Sequence, residues 1–174
     1  GYMGLLHLQL LPEKIIDKLI VTDLKEKNLK LAKEYGADIT INSSKKNTIK
    51  EIDKLCPEGV DLVIEAVGIQ ETLDLATNII KPGGTLNIYG YHAVPETIDT
   101  GTWHLKGLTV LNTAPGISKT PQKDFERGVK ALKIGMLKQN KLINYKFDIE
   151  DAEEVFEKIS KNRPKDYIKG CFKF

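Results

Sequence analysis

The stretch from Gly1 to Asp23 constrains this 174-residue chain more than any other. It runs Gly-Tyr-Met-Gly, then a leucine-rich segment, then Lys-Leu-Ile-Val-Thr-Asp. Gly1 and Gly4 have the spacing of the last two glycines of G-x-G-x-x-G. In that motif one glycine lets the backbone approach a pyrophosphate, and the other lets a helix pack close to a sheet. The N-terminus of the helix then turns free N–H groups and a partial positive charge toward the anion. Asp23 follows Gly4 by 19 positions. That is close to the roughly 20 expected of a carboxylate that holds an adenosine ribose. Both features also have plainer readings, since glycine pairs are common and an Asp after a strand often caps the next helix. The motif's first glycine and the strand before it are not in the sequence. A doubly wound sheet puts that strand at its middle, so the chain reads as a piece of a longer protein.

Composition narrows the classes. Hydrophobic residues make up 41% and charged residues 29%, which suits a soluble globular domain rather than a disordered chain. The length fits one domain with a sizeable core. A formal charge of +2, with Lys and Arg scattered among Glu and Asp, gives no argument for nucleic acid. No apolar run approaches the ~20 residues of a membrane span, and no leader segment is visible. Cys56 and Cys171 are the only cysteines and do not form a C-x-x-C pair. They read as reduced, packed thiols of a cytoplasmic protein.

Hydrophobic periodicity orders the chain. Tyr2 to Leu11 reads as a helix apolar on most sides, and Leu19 to Thr22 as a short strand. Asp23 opens a helix through Tyr35 that Gly36 stops. Ile39 to Ile41 is a strand, and Asn47 to Leu55 an amphipathic helix. Val60 to Val67 is a nearly continuous apolar run, as in a strand buried on both faces of a parallel sheet. Glu71 to Ile80 is a helix that Lys81-Pro82-Gly83-Gly84 ends. Thr85 to Tyr89 and Leu108 to Leu111 are strands. Lys123 to Gln139 reads as a long helix, Lys141 to Phe147 as extended, Glu150 to Ser160 as a helix, and Ile168 to Phe174 as a last strand. Asp148, Glu150 and Asp151 are expected to cap the helix that follows them. Strands alternating with helices of ten or so residues predict an α/β fold with a doubly wound parallel sheet, a Rossmann fold that lacks its first strand.

Sites in such a sheet gather at the carboxyl ends of its strands. Those positions hold Gly1-Tyr2-Met3-Gly4, Asp23, Ala66-Val67-Gly68, Gly90-Tyr91-His92 and Asn112-Thr113. No catalytic cluster is visible. His7, His92 and His104 are scattered, and neither G-x-S-x-G nor H-E-x-x-H occurs. His7 reads as a satisfied core or edge histidine, Glu65 as hydrogen-bonded structure rather than a general base. His92 alone among the histidines lies at a strand's carboxyl end.

Taken in order, these segments resemble the medium-chain dehydrogenases of the zinc alcohol and polyol type, sorbitol-like dehydrogenases among them. The resemblance rests on Gly-Tyr-Met-Gly, Val-Thr-Asp-Leu, Leu-Ala-Lys-Glu-Tyr-Gly-Ala-Asp, Val-Asp-Leu-Val-Ile-Glu-Ala-Val-Gly and Ile-Lys-Pro-Gly-Gly-Thr-Leu. It continues through the closing Asp-Ala-Glu-Glu-Val-Phe-Glu, Arg-Pro and Ile-Lys-Gly. It implies NAD-linked hydride transfer between an alcohol or polyol and its carbonyl product. By matching position, Gly1, Tyr2, Met3 and Gly4 would lie at the pyrophosphate. Asp23 would hold the adenosine ribose and favour NAD over NADP. Ala66, Val67 and Gly68 would lie along the cofactor, with Tyr89, Gly90 and Tyr91 at the nicotinamide amide. Lys169 matches a basic residue that reaches the pyrophosphate. Asn28 stands where the family usually has Lys or Arg near the adenosine. The family's catalytic zinc ligands lie in an amino-terminal domain absent from this chain, so zinc is expected only there. Residues 1–140 would then be the dinucleotide-binding domain, and 141–174 a segment that packs on the absent domain. The resemblance also implies a dimer or tetramer. Two other readings compete: a methyltransferase using S-adenosylmethionine, which shares the glycine turn, the acidic strand end and a Lys-Pro-Gly-Gly turn, and a non-catalytic nucleotide-sensing module.

Overall fold

A computed structural model of the chain describes residues 1–12, 15–114, 116 and 118–174. It opens with helix α1 (Tyr2–Leu10), which buries Leu5 and Leu8. Strands β1 (Ile20–Asp23) and β2 (Ile39–Asn42) pair in parallel, with Ile20 opposite Ile39 and Asp23 opposite Asn42. Helix α2 (Glu26–Glu34) connects them and buries Leu29, Leu31 and Ala32. Gly36, at φ 101°, turns the chain out of that helix in a conformation that other residues rarely adopt. Helix α3 (Thr48–Leu55) follows, with Asn47 as its cap: the side-chain oxygen accepts the Lys50 N–H at 3.1 Å.

A second parallel sheet has the order β3 (Val60–Glu65), β4 (Ile80–Ile88), β5 (Thr109–Asn112). Helices α4 (Gln70–Ile79) and α5 (Thr100–Lys106) make its crossovers. After α6 (Pro121–Lys133), strand β6 (Ile143–Asp148) pairs in parallel with β7 (Lys169–Lys173). A 3₁₀ turn (Ile149–Asp151) and α7 (Ala152–Lys161) lie between them.

The alternation of strand and helix is the one expected, and the sheet is divided between β1 and β3. Among the described residues β1 pairs with β2 and β3 with β4, and no ladder joins β1 to β3. A doubly wound order puts its first strand in that position. Side-chain packing bridges the division. One apolar cluster of Ile41, Ile52 and Ile79 takes in Ile20 and Ile39 from the first pair and Val60 and Val63 from the second sheet. Another joins Leu5, Leu8, Leu31, Ala32 and Ala37 to Leu142, which is fully buried. The carboxyl-terminal segment is thereby anchored on α1 and α2.

Some boundaries differ from the sequence reading, each for a local reason. Helix α2 starts at Glu26, because Asp23 uses its carboxylate in a turn that accepts the Lys25 N–H at 2.9 Å. Helix α6 stops at Lys133, where Gly135 at φ 74° breaks the helical path. Helix α5 was not expected. It is seven residues long and is fixed by its ends, the Asp99 carboxylate accepting the Thr102 N–H and Gly107 in the left-handed conformation. Strand β4 begins ahead of the Pro-Gly-Gly turn: Ile80 lies opposite Val60, and the register shifts before Thr85 meets Leu62. Strand β3 is not buried on both faces. It pairs on one side alone, and Leu62 is 47% exposed. Neither Asp148 nor Asp151 makes a side-chain cap; Asp148 pairs with Lys173 at 3.3 Å.

Candidate functional site

The acidic strand end comes first. Asp23 closes β1 with its side chain 13% exposed. Its carboxylate accepts from the Lys25 N–H, from the Asn28 amide at 2.9 Å and from the Gly1 amino group at 2.6 Å. Burial pushes the Asp23 carboxyl up, and the charged Gly1 amino group first, then the Lys25 N–H and the Asn28 amide, hold it below the usual carboxylate range. Asn28 sits on α2, and its Oδ1 is buried without a hydrogen-bond partner. Buried polar atoms are rarely left so, and this one lies beside a carboxylate already oriented by its neighbours.

The start of α1 comes second. Gly1 is the N-cap and no side chain caps the helix, so its first N–H groups lack helical partners. Methyl groups added at Gly1 or Gly4 would meet nothing within 4 Å. Both positions look onto open space. The Lys169 ammonium lies 5.3 Å from the centre of the Tyr2 ring, so a cation from β7 stands over the first turn of α1. Helix terminus and ammonium have the same sign, which suits an anion.

The third part is a pair of interlocked turns. Glu65 ends β3 and is almost wholly buried. Its Oε1 accepts the N–H groups of Val67 at 2.8 Å and Gly68 at 2.9 Å, and the Thr72 hydroxyl at 2.8 Å. Its backbone carbonyl accepts from the N–H groups of Tyr89 and Gly90. Gly68, at φ 88°, lies so near the other turn that a methyl would fall 2.3 Å from the Tyr91 carbonyl oxygen. A methyl at Gly90 would fall 2.4 Å from the Gly68 nitrogen. The glycines in these turns thus serve a close backbone approach. Tyr91 and Val67 project into solvent. The His7 ring packs edge-on against Tyr89 at 4.4 Å, with its Nδ1 2.9 Å from the Met3 carbonyl. That contact ties the first turns of α1 to the end of β4 and satisfies His7.

The structure therefore gathers Gly1, Tyr2, Met3, Gly4 and Lys169 at one helix terminus, and Asp23 with Asn28 beside it. It brings Ala66, Val67 and Gly68 against Tyr89, Gly90 and Tyr91. Sequence reasoning missed the extent of Glu65's role and its contact with His92. The available signal was the carboxylate that closes the apolar run Leu-Val-Ile-Glu, since a charge in a buried strand needs partners. Glu65 sits below the usual carboxylate range: burial raises it, but the Gly68 and Val67 N–H groups, the Thr72 hydroxyl and the His92 ring together lower it further. A depressed folded value means stability that is present above the ordinary value of 4.5 and lost as pH falls through the lower one. Urea denaturation of the wild type and Glu65→Gln should show a stability gap at neutral pH that closes on acidification through that range.

Among the described residues no three His, Cys, Asp or Glu side chains are grouped to hold a metal ion. No helix among them is long and apolar enough to cross a membrane.

Known proteins share this fold. The family described as zinc-binding dehydrogenase matches residues 3–133. An alcohol dehydrogenase of Cupriavidus necator is 27% identical over 149 residues, which are 83% of this chain and 40% of that protein. A putative zinc-binding dehydrogenase from Sinorhizobium meliloti, solved bound to NADP, superposes with a TM-score of 0.83 at 26% identity. The match covers 99% of this chain and 49% of that one. Zinc-dependent alcohol dehydrogenase 2 of Streptococcus pneumonia, in its apo form, gives a TM-score of 0.78 at 30% identity, over 97% and 47%. The chain spans about half the length or less of the relatives it matches. The matched stretch carries the interlocked turns and the first two of the three sheets, and on that ground the chain belongs to the zinc-binding dehydrogenase family.

Proposed function

We propose that this chain is the cofactor-binding half of an NAD-linked, zinc-type alcohol or polyol dehydrogenase. The observation that carries the reading is the Asp23 carboxylate, oriented by Asn28 and the Lys25 N–H at the end of β1. It stands in the place of the acidic residue that binds an adenosine ribose diol. The open, uncapped terminus of α1 with Lys169 over it supports a pyrophosphate there. The orphaned Asn28 Oδ1 supports a further hydrogen-bond donor at the adenosine end. The cofactor, once bound, accepts or gives a hydride. The residues of this chain bind and orient it: Asp23 and Asn28 at the ribose, Gly1 to Gly4 and Lys169 at the pyrophosphate, and the turns 66–68 and 89–91 at the nicotinamide half.

The zinc and most of the proton relay belong, on this reading, to the remainder of a longer protein. Phe125 and Phe156 stand 73% and 67% exposed on α6 and α7. The α7 face supports packing of residues 141–174 on that remainder, beyond the anchor at Leu142. A cytoplasmic dimer or tetramer is part of the same reading. The methyltransferase alternative is not favoured, since the chain continues past the Lys-Pro-Gly-Gly strand into parallel pairing with β5 rather than an antiparallel hairpin. The test is a fluorescence titration with NADH, with NADPH and S-adenosylmethionine compared by calorimetry. Saturable NADH binding, weaker NADPH binding and no binding of S-adenosylmethionine are expected. Binding of S-adenosylmethionine alone would overturn the reading.

A further inference from the structure

Glu65 and His92 form a contact that the reading above leaves unused. The Glu65 side chain is 1% exposed and that of His92 17%. Glu65 Oε1 is taken up by Val67, Gly68 and Thr72. Its Oε2 faces His92 Nε2 at 3.3 Å. On the far side of the ring, Nδ1 is buried with no hydrogen bond, and the nearest carboxylate oxygen is Glu96 Oε1 at 3.5 Å. The imidazole is thus bracketed by one carboxylate from a strand end and one from the segment 91–99. That segment has a second attachment to the same helix start: Gln70 donates to the Thr97 carbonyl at 2.8 Å and accepts the Thr97 N–H at 2.7 Å.

One buried residue therefore holds both interlocked turns, one through its side chain and one through its backbone. Glu65 holds the 66–68 turn through two backbone N–H groups and the 89–90 turn through its own carbonyl. His92 continues the second turn and returns to the same carboxylate. Hydrogen bonds to a charged group are worth more than neutral ones, and a half-satisfied buried charge is costly. Loss of any member should loosen the others.

We propose that Glu65 and His92 are positioning residues that lock the turns 66–68 and 89–91 together. The locked pair is presented as one surface to the nicotinamide half of a dinucleotide. The inference rests on the dinucleotide reading of the site. It separates the two ends of the cofactor, because Asp23 and Asn28 have no contact with this set among the hydrogen bonds of the described residues.

The experiment uses the whole chain with His92→Ala and His92→Gln, the latter keeping one donor toward Glu65. Affinities for NADH and for ADP-ribose, which lacks the nicotinamide, are measured by calorimetry. Backbone amide exchange at Val67, Gly68, Tyr89 and Gly90 is measured without ligand. His92→Ala is expected to weaken NADH about 10-fold, the effect of losing a hydrogen bond to a charged group, and to leave ADP-ribose within about 2-fold. Exchange at the four amides should accelerate, and His92→Gln should recover part of both effects. NADH and ADP-ribose weakening together would overturn the inference, as would unchanged NADH affinity with unchanged exchange. If the unmodified chain binds neither ligand, the dinucleotide reading fails and the role toward nicotinamide falls with it. Exchange rates then decide the lock by themselves.

Discussion

Asp23→Ala is expected to weaken NADH binding by about 10- to 100-fold, the range given by one or two charge-assisted hydrogen bonds at 1.4 kcal/mol per tenfold. The carboxylate is fixed before any ligand arrives. Asn28 and the Lys25 N–H hold it in place. A ribose diol can donate to such a group without reorganising it. A 2′-phosphate meets a negative charge at short range instead. The same substitution should therefore leave NADPH affinity nearly unchanged or raise it, and the preference for NADH should collapse. Parallel calorimetric titrations of both cofactors check this. An equal loss for both would mean that Asp23 supports the fold of the site rather than its selectivity. Asn28→Ala should give a smaller loss in the same direction, because it removes one of the carboxylate's supports.

Gly68→Ala is expected to destabilise the chain by about 2–5 kcal/mol, combining overpacking with left-handed backbone strain. The position has φ 88°, and the new methyl would lie 2.3 Å from the Tyr91 carbonyl oxygen and 2.7 Å from its carbon. These atoms are backbone, so no rotamer change can relieve the clash. The two turns must separate, which also lengthens the bonds from Val67 and Gly68 to Glu65. Urea denaturation followed by circular dichroism measures the loss. A change below about 0.5 kcal/mol, typical of an unconstrained surface site, would mean that the turns are not in backbone contact. Gly4 makes the contrast, since a methyl there would meet nothing within 4 Å.

The elements that carry strong local chemistry were legible in the sequence. The strands at β1 and β2 are short apolar runs bounded by Asp or Asn, and the chain between them has helical periodicity. A period-2 or period-3.6 pattern is a local property, so it can be read without the fold. Asp23 was legible for the same reason, through its distance from Gly4. The ends of elements were less so. Helix α5 depends on caps at Asp99 and Gly107, and α6 ends at a glycine two residues beyond its last helical position. Such endings are set by single side chains and dihedral angles rather than by periodicity.

Tertiary structure alone decided how the site is joined. Val67 and Tyr91 are 24 positions apart by the numbering, and nothing local announces that their turns touch. The contact exists because β3 and β4 are parallel neighbours whose carboxyl ends lie level, Glu65 opposite Ile88. Glu65 becomes a hub only once a buried carboxylate finds donors from both turns. Lys169 reaches Tyr2 only because β7 folds back on α1, from the far end of the chain. Sequence by itself determined the alternation of strand and helix, the family, and the acidic strand end, all of which rest on residue type and spacing. The fold decided which glycines are forced by close approach, which carboxylate is buried, and which cation stands over the helix terminus. Those are matters of distance in space, which spacing along the chain does not encode.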